Sequence, residues 1–205
     1  MTTIAILPGL DGTALLLREF DTLADATVIE YPRDRVMSYD ELATHASERL
    51  PPRPILIGES FGGAIATLVA SRIEVAALVL VNSFVVAPRP RIFARLPFFI
   101  PPEWILAWFL GGGKGHRAAI QSVRRDVLAS RVRMALNVDV RAELAATRAP
   151  LIDLRSRGDR LVARRSREAV IAARPDAKLL EIDGPHALLF GNAAPAWESI
   201  RRAVC

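Results

Sequence analysis

The sequence has a single cysteine, Cys205, at its C-terminal end. One cysteine can form no disulfide within the chain, which fits a reducing compartment, and we expect a cytoplasmic protein. The N-terminal residues agree with this expectation. Residues 1–3 carry no basic side chain, and the apolar run at 4–7 is too short for a signal peptide.

Lysine is nearly absent as well, since Lys114 and Lys178 are the only two. The formal net charge of +5 therefore comes almost wholly from arginines, which are spread along the chain. A nucleic-acid surface would need a basic face with a recognisable binding motif, and the sequence contains none. We interpret the charge as a solvated basic surface and expect no nucleic-acid partner.

Short apolar runs alternate with helix-like segments along much of the chain, which has 205 residues and is 51% hydrophobic. This size suits one domain with a full core and an insertion. The runs lie at 3–7, 27–31, 55–57, 77–81, 149–154 and 178–182. Their alternation with helices predicts an α/β fold, with a doubly wound, mostly parallel sheet of about six strands.

The alternation of strands and helices breaks off at residue 84. From residue 88 to about residue 146 the chain is helix-like and rich in proline, with a bulky apolar stretch at 92–110. Charged residues and prolines within and beside this stretch argue against a membrane span. We predict that residues 88–146 form an inserted helical cap on a core made of residues 1–87 and 147–205. A helix lying on a membrane surface is the alternative.

One apolar run leads directly into a Gly-x-Ser-x-Gly motif at residues 58–62. Small, helix-compatible residues follow it, so the stretch predicts a strand, a sharp turn and a helix. Serine is a poor nucleophile by itself, and such a turn would present Ser60 to a base. Gly58 and Gly62 would give room for the bend. A serine that only caps a helix is the alternative.

Three other loops also follow predicted strands. They contain Gly9 and Leu10, Asp159, and His186. In an open parallel sheet, ligands bind at the carboxyl ends of the strands, so these loops and Ser60 should meet there. The chain order of serine, aspartate and histidine is the order of a triad in this architecture. The candidate nucleophile, acid and base are therefore Ser60, Asp159 and His186.

Other titratable residues compete for these roles. The alternative bases are His45 and His116, and the alternative acids are Asp153 and Asp183. Neither of the two histidines lies in a segment that follows a strand end. We interpret Asp11 as a turn former, and we expect Glu59 to point away from the nucleophile because neighbours in an extended chain alternate.

These motifs resemble those of the α/β-hydrolase superfamily, in particular small serine esterases similar to the pimeloyl-acyl-carrier-protein methyl ester carboxylesterases. The matching segments are 7–12 for the oxyanion loop, 58–63 for the nucleophile elbow, 158–162 for the acid loop and 184–186 for the histidine loop. Two features depart from the pattern. Pro8-Gly9 replaces the usual His-Gly pair, and the sequence starts directly at the oxyanion-loop strand, without the usual N-terminal hairpin.

The resemblance implies a serine hydrolase that needs no metal and no cofactor. His186 would take the proton of Ser60 and return it to the leaving alcohol, while Asp159 orients the imidazole. The backbone N–H groups of Leu10 and Phe61 would form the oxyanion hole.

The cap is rich in aromatic residues, which suggests a small-molecule ester with a substantial apolar group. The residues assigned to substrate binding are Phe93, Phe99, Trp104 and Trp108. Thioesterases, lactonases, carbon–carbon hydrolases and acyltransferases use the same triad, so all four stay open. An alternative of another class is a non-catalytic receptor for a small ligand on the same fold.

Overall fold

The computed structural model of the protein describes residues 3–88 and 114–204. The strands are β1 (Ile4–Leu7), β2 (Ala26–Val28), β3 (Ile55–Glu59), β4 (Ala77–Val81), β5 (Leu151–Ser156) and β6 (Lys178–Ile182). A short 3-10 helix covers Ala14–Leu16. The α-helices are α1 (Arg18–Ala24), α2 (Tyr39–Ser47), α3 (Phe61–Ala70), α4 (Lys114–Gln121), α5 (Arg125–Asn137), α6 (Arg141–Ala146), α7 (Arg164–Ala173) and α8 (Ala193–Val204).

The strands form one six-stranded sheet in the order β2-β1-β3-β4-β5-β6, and all neighbouring pairs are parallel. β3 and β4 lie in the middle and are buried along their whole length, as their nearly continuous apolar sequences predict. β6 lies at one edge and is partly exposed. The α/β class and the count of about six strands are confirmed.

Helices cover both faces of the sheet, so the doubly wound arrangement is also confirmed. Leu56 of β3 faces a core shared with α2, α3, α6 and α7. The next residue, Ile57, faces the opposite core, which is shared with α1 and α8. The alternation of side chains along a strand accounts for this division, and it brings the carboxyl ends of the strands to one edge between two helical layers.

β4 and β6 have the bounds of their apolar runs, 77–81 and 178–182, and the other strands differ from theirs by one to three residues at an end. α2 begins after a complete capping box, in which Ser38 N donates to Glu41 Oε2 at 2.7 Å and Glu41 N donates to Ser38 Oγ at 3.2 Å. β2 is shorter than the expected 27–31. The chain leaves the sheet there because Tyr31 N donates instead to Gly12 O, at 2.8 Å.

The described part of the predicted cap is helical and consists of α4, α5 and α6. Leu144 of α6 packs in the same core as α3. The aromatic residues assigned to the substrate, Phe93, Phe99, Trp104 and Trp108, lie outside the described residues. Of the helices within residues 3–88 and 114–204, none combines the length and the apolar character needed to cross a bilayer.

Candidate active site

Ser60 lies at the turn between β3 and α3, with a backbone φ of 52° and ψ of −117°. A residue with a side chain rarely adopts this conformation, so its surroundings must hold it there. Two hydrogen bonds connect it to β4 and the residues that follow: Ser60 N donates to Val81 O at 2.9 Å, and Ser83 Oγ donates to Ser60 O at 2.7 Å. The motif therefore forms the sharp strand-to-helix turn that the sequence predicts.

Gly58 and Gly62 allow β3, α3 and the loop after β1 to approach one another closely. A Cβ on Gly58 would lie 2.8 Å from the Cβ of Ala66, so a larger residue would push α3 away from β3. A Cβ on Gly62 would clash with the carbonyl oxygens of Leu7 and Pro8. These contacts show that the loop after β1 lies directly against the turn that carries the serine.

Ser60, His186 and Asp159 form a chain of hydrogen-bonded side chains. Ser60 Oγ lies 2.8 Å from His186 Nε2, and His186 Nδ1 lies 3.0 Å from Asp159 Oδ2. The histidine and aspartate side chains are only 1% and 7% exposed. The structure thus brings together a hydroxyl, an imidazole and a carboxylate from three loops that are distant in sequence.

The surroundings of Asp159 keep its carboxyl group ionised. Burial alone would raise its pKa, but the hydrogen bond and charge of His186 act in the opposite direction. The backbone N–H groups of Leu161 and Val162 also donate to Asp159 Oδ1, at 2.7 and 3.2 Å. The pKa of Asp159 is consequently below its usual value, so the ionised carboxylate is the favoured form beside His186.

The backbone N–H groups predicted for the oxyanion hole belong to Phe61 and Leu10, two residues near the serine. Phe61 follows Ser60 and is the first residue of α3, so its N–H is one of those that a helix leaves without an intrahelical acceptor. Leu10 follows Gly9, where a Cβ would lie 3.9 Å from the Cβ of Ser60. The loop that carries Leu10 therefore lies close to Ser60, and Phe61 adjoins Ser60 in the chain.

Asn82 is a site residue that the sequence did not reveal. It is fully buried just after β4, with a positive φ of 42°. Its Nδ2 donates to Ser156 Oγ, Pro185 O and His186 O at 2.8, 3.1 and 2.7 Å. Its Oδ1 accepts from Ser156 N at 2.7 Å. Its position after a strand and the tolerance of asparagine for positive φ are the only signals in the sequence.

Glu59, which we expected only to point away from the nucleophile, contacts the histidine loop. Its buried carboxylate accepts a hydrogen bond from Leu189 N at 3.0 Å. Burial raises the pKa of Glu59 to about 7, and the nearby charge of His186 opposes this shift. A carboxyl group whose pKa is raised by burial to about 7 thus contacts the loop that carries the proposed base.

The competing residues lie in other environments. Asp11 Oδ2 accepts from Thr13 N at 3.1 Å, a local bond that fits a turn former. The other two acids form ion pairs, Asp153 with Arg155 and Asp183 with Arg157. Of the two histidines, His45 Nε2 contacts Glu30 O, and His116 packs edge-on against the ring of Phe190. In the part of the chain that the structure describes, no group of three or more His, Cys, Asp or Glu could hold a metal ion.

The parallel sheet and the contacts among Ser60, His186 and Asp159 point to one class of protein, and a comparison of the sequence with known families agrees. The chain belongs to the alpha/beta hydrolase family, whose sequence model matches residues 7–197. This membership confirms the resemblance to the superfamily and supports hydrolase as the class of the protein. A search of curated proteins gave no match.

Solved structures share the fold at low sequence identity. One is a lipase-esterase related protein from Clostridium acetobutylicum ATCC 824, with a TM-score of 0.81, 15% identity, and coverage of 98% of this chain and 93% of that chain. A hydrolase from Pseudomonas aeruginosa PA01 has a TM-score of 0.77 and 20% identity, with 99% and 89% coverage. The enol-lactonase from Burkholderia xenovorans LB400 has a TM-score of 0.72 and 16% identity, with 99% and 90% coverage.

Proposed function

We propose that the protein is a serine esterase that cleaves a carboxylic ester with a substantial apolar group. The observation that carries the proposal is the distance of 2.8 Å between Ser60 Oγ and His186 Nε2, with Asp159 on the other ring nitrogen. A base in contact with a hydroxyl, and itself oriented by an acid, is the arrangement that activates a serine.

In the proposed reaction, Ser60 Oγ attacks the ester carbonyl carbon as His186 Nε2 accepts the hydroxyl proton. The tetrahedral intermediate places its negative oxygen toward the N–H groups of Leu10 and Phe61. The imidazolium, stabilised by Asp159, then donates the proton to the leaving alcohol. Water, activated by the same imidazole, releases the acid from the acyl-enzyme.

The preference for an apolar group rests on the side chains beside the oxyanion loop. Leu10 packs against a small apolar cluster formed by Ile120, Val123, Val127 and Leu128 of the α4–α5 region. We assign further apolar contacts to Phe93, Phe99, Trp104 and Trp108, on their sequence alone. Pockets with mostly apolar walls and a few polar groups favour such substrates. We also propose that the protein acts in the cytoplasm, since its one cysteine fits a reducing compartment.

A fluorophosphonate probe tests the proposal, because it phosphonylates a serine that a neighbouring base has activated. We expect one adduct, which peptide mapping locates on Ser60. The Ser60→Ala variant should lose both labelling and the hydrolysis of p-nitrophenyl esters, with a melting temperature close to that of the wild type. Ser71→Ala, at the end of α3 where Ser71 Oγ donates to Leu68 O, is the matched control and should keep both.

Labelling at another residue, or none, would contradict the proposal, and ligand binding without labelling would favour the receptor alternative. A panel of esters and matching thioesters of increasing acyl length then separates the esterase from the thioesterase. Added alcohols that accept the acyl group would indicate an acyltransferase.

A further inference from the structure

Every carbonyl oxygen in the loop after β1, residues 8–12, accepts a hydrogen bond. The donors are Tyr31 Oη to Pro8 O (3.2 Å), Gly12 N to Gly9 O (3.1 Å), Arg131 Nη1 to Leu10 O (3.0 Å) and to Asp11 O (2.8 Å), and Tyr31 N to Gly12 O (2.8 Å). The C=O and N–H of one planar trans peptide point in opposite directions, so these bonds also fix the direction of the loop's N–H groups.

Arg131 supplies two of these bonds from α5, 120 residues away from Asp11 in the chain. It is only 2% exposed, and its Nη2 donates to Pro32 O at 2.9 Å. The guanidinium carbon lies 5.5 Å from the centroid of the Tyr31 ring. A Cβ on Gly12 would lie 2.6 Å from Arg131 Nη1, so the glycine, with its φ of +71°, permits this close approach.

The hydrogen bonds form a continuous path from this guanidinium to the proposed oxyanion hole. Arg131 Nη1 donates to the carbonyl of Asp11, and the same peptide group carries the N–H of Gly12. That N–H donates to the carbonyl of Gly9, whose peptide group carries the N–H of Leu10. Both peptide groups have their negative ends toward the positive charge. In a buried site, aligned hydrogen bonds polarise one another, so the last donor becomes stronger.

We propose that Arg131 is a positioning residue for the oxyanion hole, which orients and polarises the N–H of Leu10 through two intervening peptide groups. The inference rests on the proposed esterase function, in which this N–H faces the tetrahedral intermediate. The benefit is greatest in the intermediate, because the carbonyl oxygen of the bound ester carries much less negative charge. Arg131 thus acts on the chemical step.

A purely structural arginine would have a different signature. If Arg131 only attached α5 to the loop, its loss would lower the melting temperature and change KM, and all ligands would bind more weakly. A residue that acts through the oxyanion hole lowers kcat and weakens a transition-state analogue in parallel. It leaves the binding of a ground-state analogue unchanged.

The experiment compares Arg131→Gln, Arg131→Lys and the wild type. The measured quantities are kcat and KM for a p-nitrophenyl ester, and the inhibition constants of a trifluoromethyl ketone and of the non-electrophilic alcohol of the same carbon skeleton. Arg131→Gln should lower kcat roughly 10- to 100-fold and weaken the ketone by a similar factor, with KM and the alcohol almost unchanged. Arg131→Lys keeps the charge and should show a smaller loss. Arg133→Gln, exposed on the same helix, should match the wild type.

Unchanged kcat and ketone affinity in Arg131→Gln would overturn the inference, as would an equal weakening of ketone and alcohol. If Arg131→Gln does not fold, Arg131→Lys decides the question by the same comparison. A failure of the proposed function is distinguishable, because it appears in the wild type as an absence of Ser60 labelling and of ester hydrolysis.

Discussion

Asn82 Nδ2 donates a hydrogen bond of 2.7 Å to the carbonyl oxygen of His186. The same fully buried side chain bonds the backbone N–H and the hydroxyl of Ser156 at the end of β5. One amide group therefore joins the ends of two neighbouring strands to the loop of the proposed base. Asn82 thus bonds the backbone of the loop that carries the imidazole, while Asp159 bonds the ring itself.

Replacement of Asn82 should affect both stability and activity. Asn82→Ala leaves the carbonyl of His186 and the N–H of Ser156 without this partner, which should cost about 2–4 kcal/mol in the free energy of unfolding. We expect kcat to fall at least about tenfold, because the histidine loop loses an anchor. Urea denaturation and initial rates measure the two effects. Asn137→Ala, where the exposed amide donates to Arg133 O, is the control and should change neither appreciably.

Asp159→Asn should lower kcat about 10³- to 10⁴-fold with little change in KM or melting temperature. An amide cannot stabilise the imidazolium, and its NH₂ group can bond the ring in the wrong tautomer. Steady-state kinetics on a p-nitrophenyl ester measure the loss. Asp183→Asn is the control, since this exposed carboxylate pairs with Arg157. If Asp159→Asn keeps more than about a tenth of the wild-type kcat, another group must orient the base.

Glu59 should make the protein less stable as the pH rises toward neutrality. Its pKa is raised by burial from 4.5 to about 7. Between these pH values the folded protein retains a proton that the unfolded chain has released, so stability falls with rising pH. The full cost above pH 7 is about 3 kcal/mol. Relative to the wild type, Glu59→Gln should therefore gain that amount between pH 4.5 and pH 8, as measured by urea denaturation at several pH values.

Glu41 provides a control of opposite sign for this measurement. The backbone N–H and hydroxyl of Ser38 lower the pKa of this exposed carboxyl group. Its contribution to stability is present above its unfolded pKa and is lost as the pH falls. Relative to the wild type, Glu41→Gln should therefore lose stability as the pH rises. A Glu59→Gln difference that is flat with pH would contradict the shift assigned to Glu59.

Gly62→Ala should destabilise the protein by about 3 kcal/mol or more. The new methyl group would meet the carbonyl oxygens of Leu7 and Pro8, which belong to the backbone and cannot move without separating β1 from the turn. Thermal unfolding and soluble yield report the effect. Gly115→Ala on α4 is the matched control. Its nearest contact is the ring of Phe190, which is 37% exposed and can move, so the change should stay within about 1 kcal/mol. Equal effects would mean that the turn tolerates a side chain.

The sequence predicts the elements of the fold well where the pattern is local. β6 has the bounds expected from its apolar run at 178–182, and β4 matches its continuous apolar run at 77–81. β2 was predicted too long, because Tyr31 continues the apolar pattern while its backbone bonds the oxyanion loop. A contact between two loops overrides the local preference there.

The candidate site also has residues that the sequence predicts and residues that it does not. The Gly-x-Ser-x-Gly motif and the strand-end positions of Asp159 and His186 are visible in the sequence, and the structure brings these side chains together. The supporting residues are not visible, because each acts on a segment far away. Asn82 lies 104 residues from His186, and Glu59 lies 130 residues from Leu189. A local sequence pattern cannot predict a hydrogen bond between residues so far apart in the chain.

The hydrogen bonds from Arg131 to the loop after β1 matter when residues 88–146 are exchanged for those of another hydrolase. A chimera that receives residues 88–146 from another protein loses this guanidinium unless the donor supplies one at the same place. The carbonyl oxygens of Leu10 and Asp11 would then lose their only charged donor among the described contacts. On the role proposed for Arg131, exchanging the predicted cap would change the rate of the chemical step as well as the contacts to the substrate.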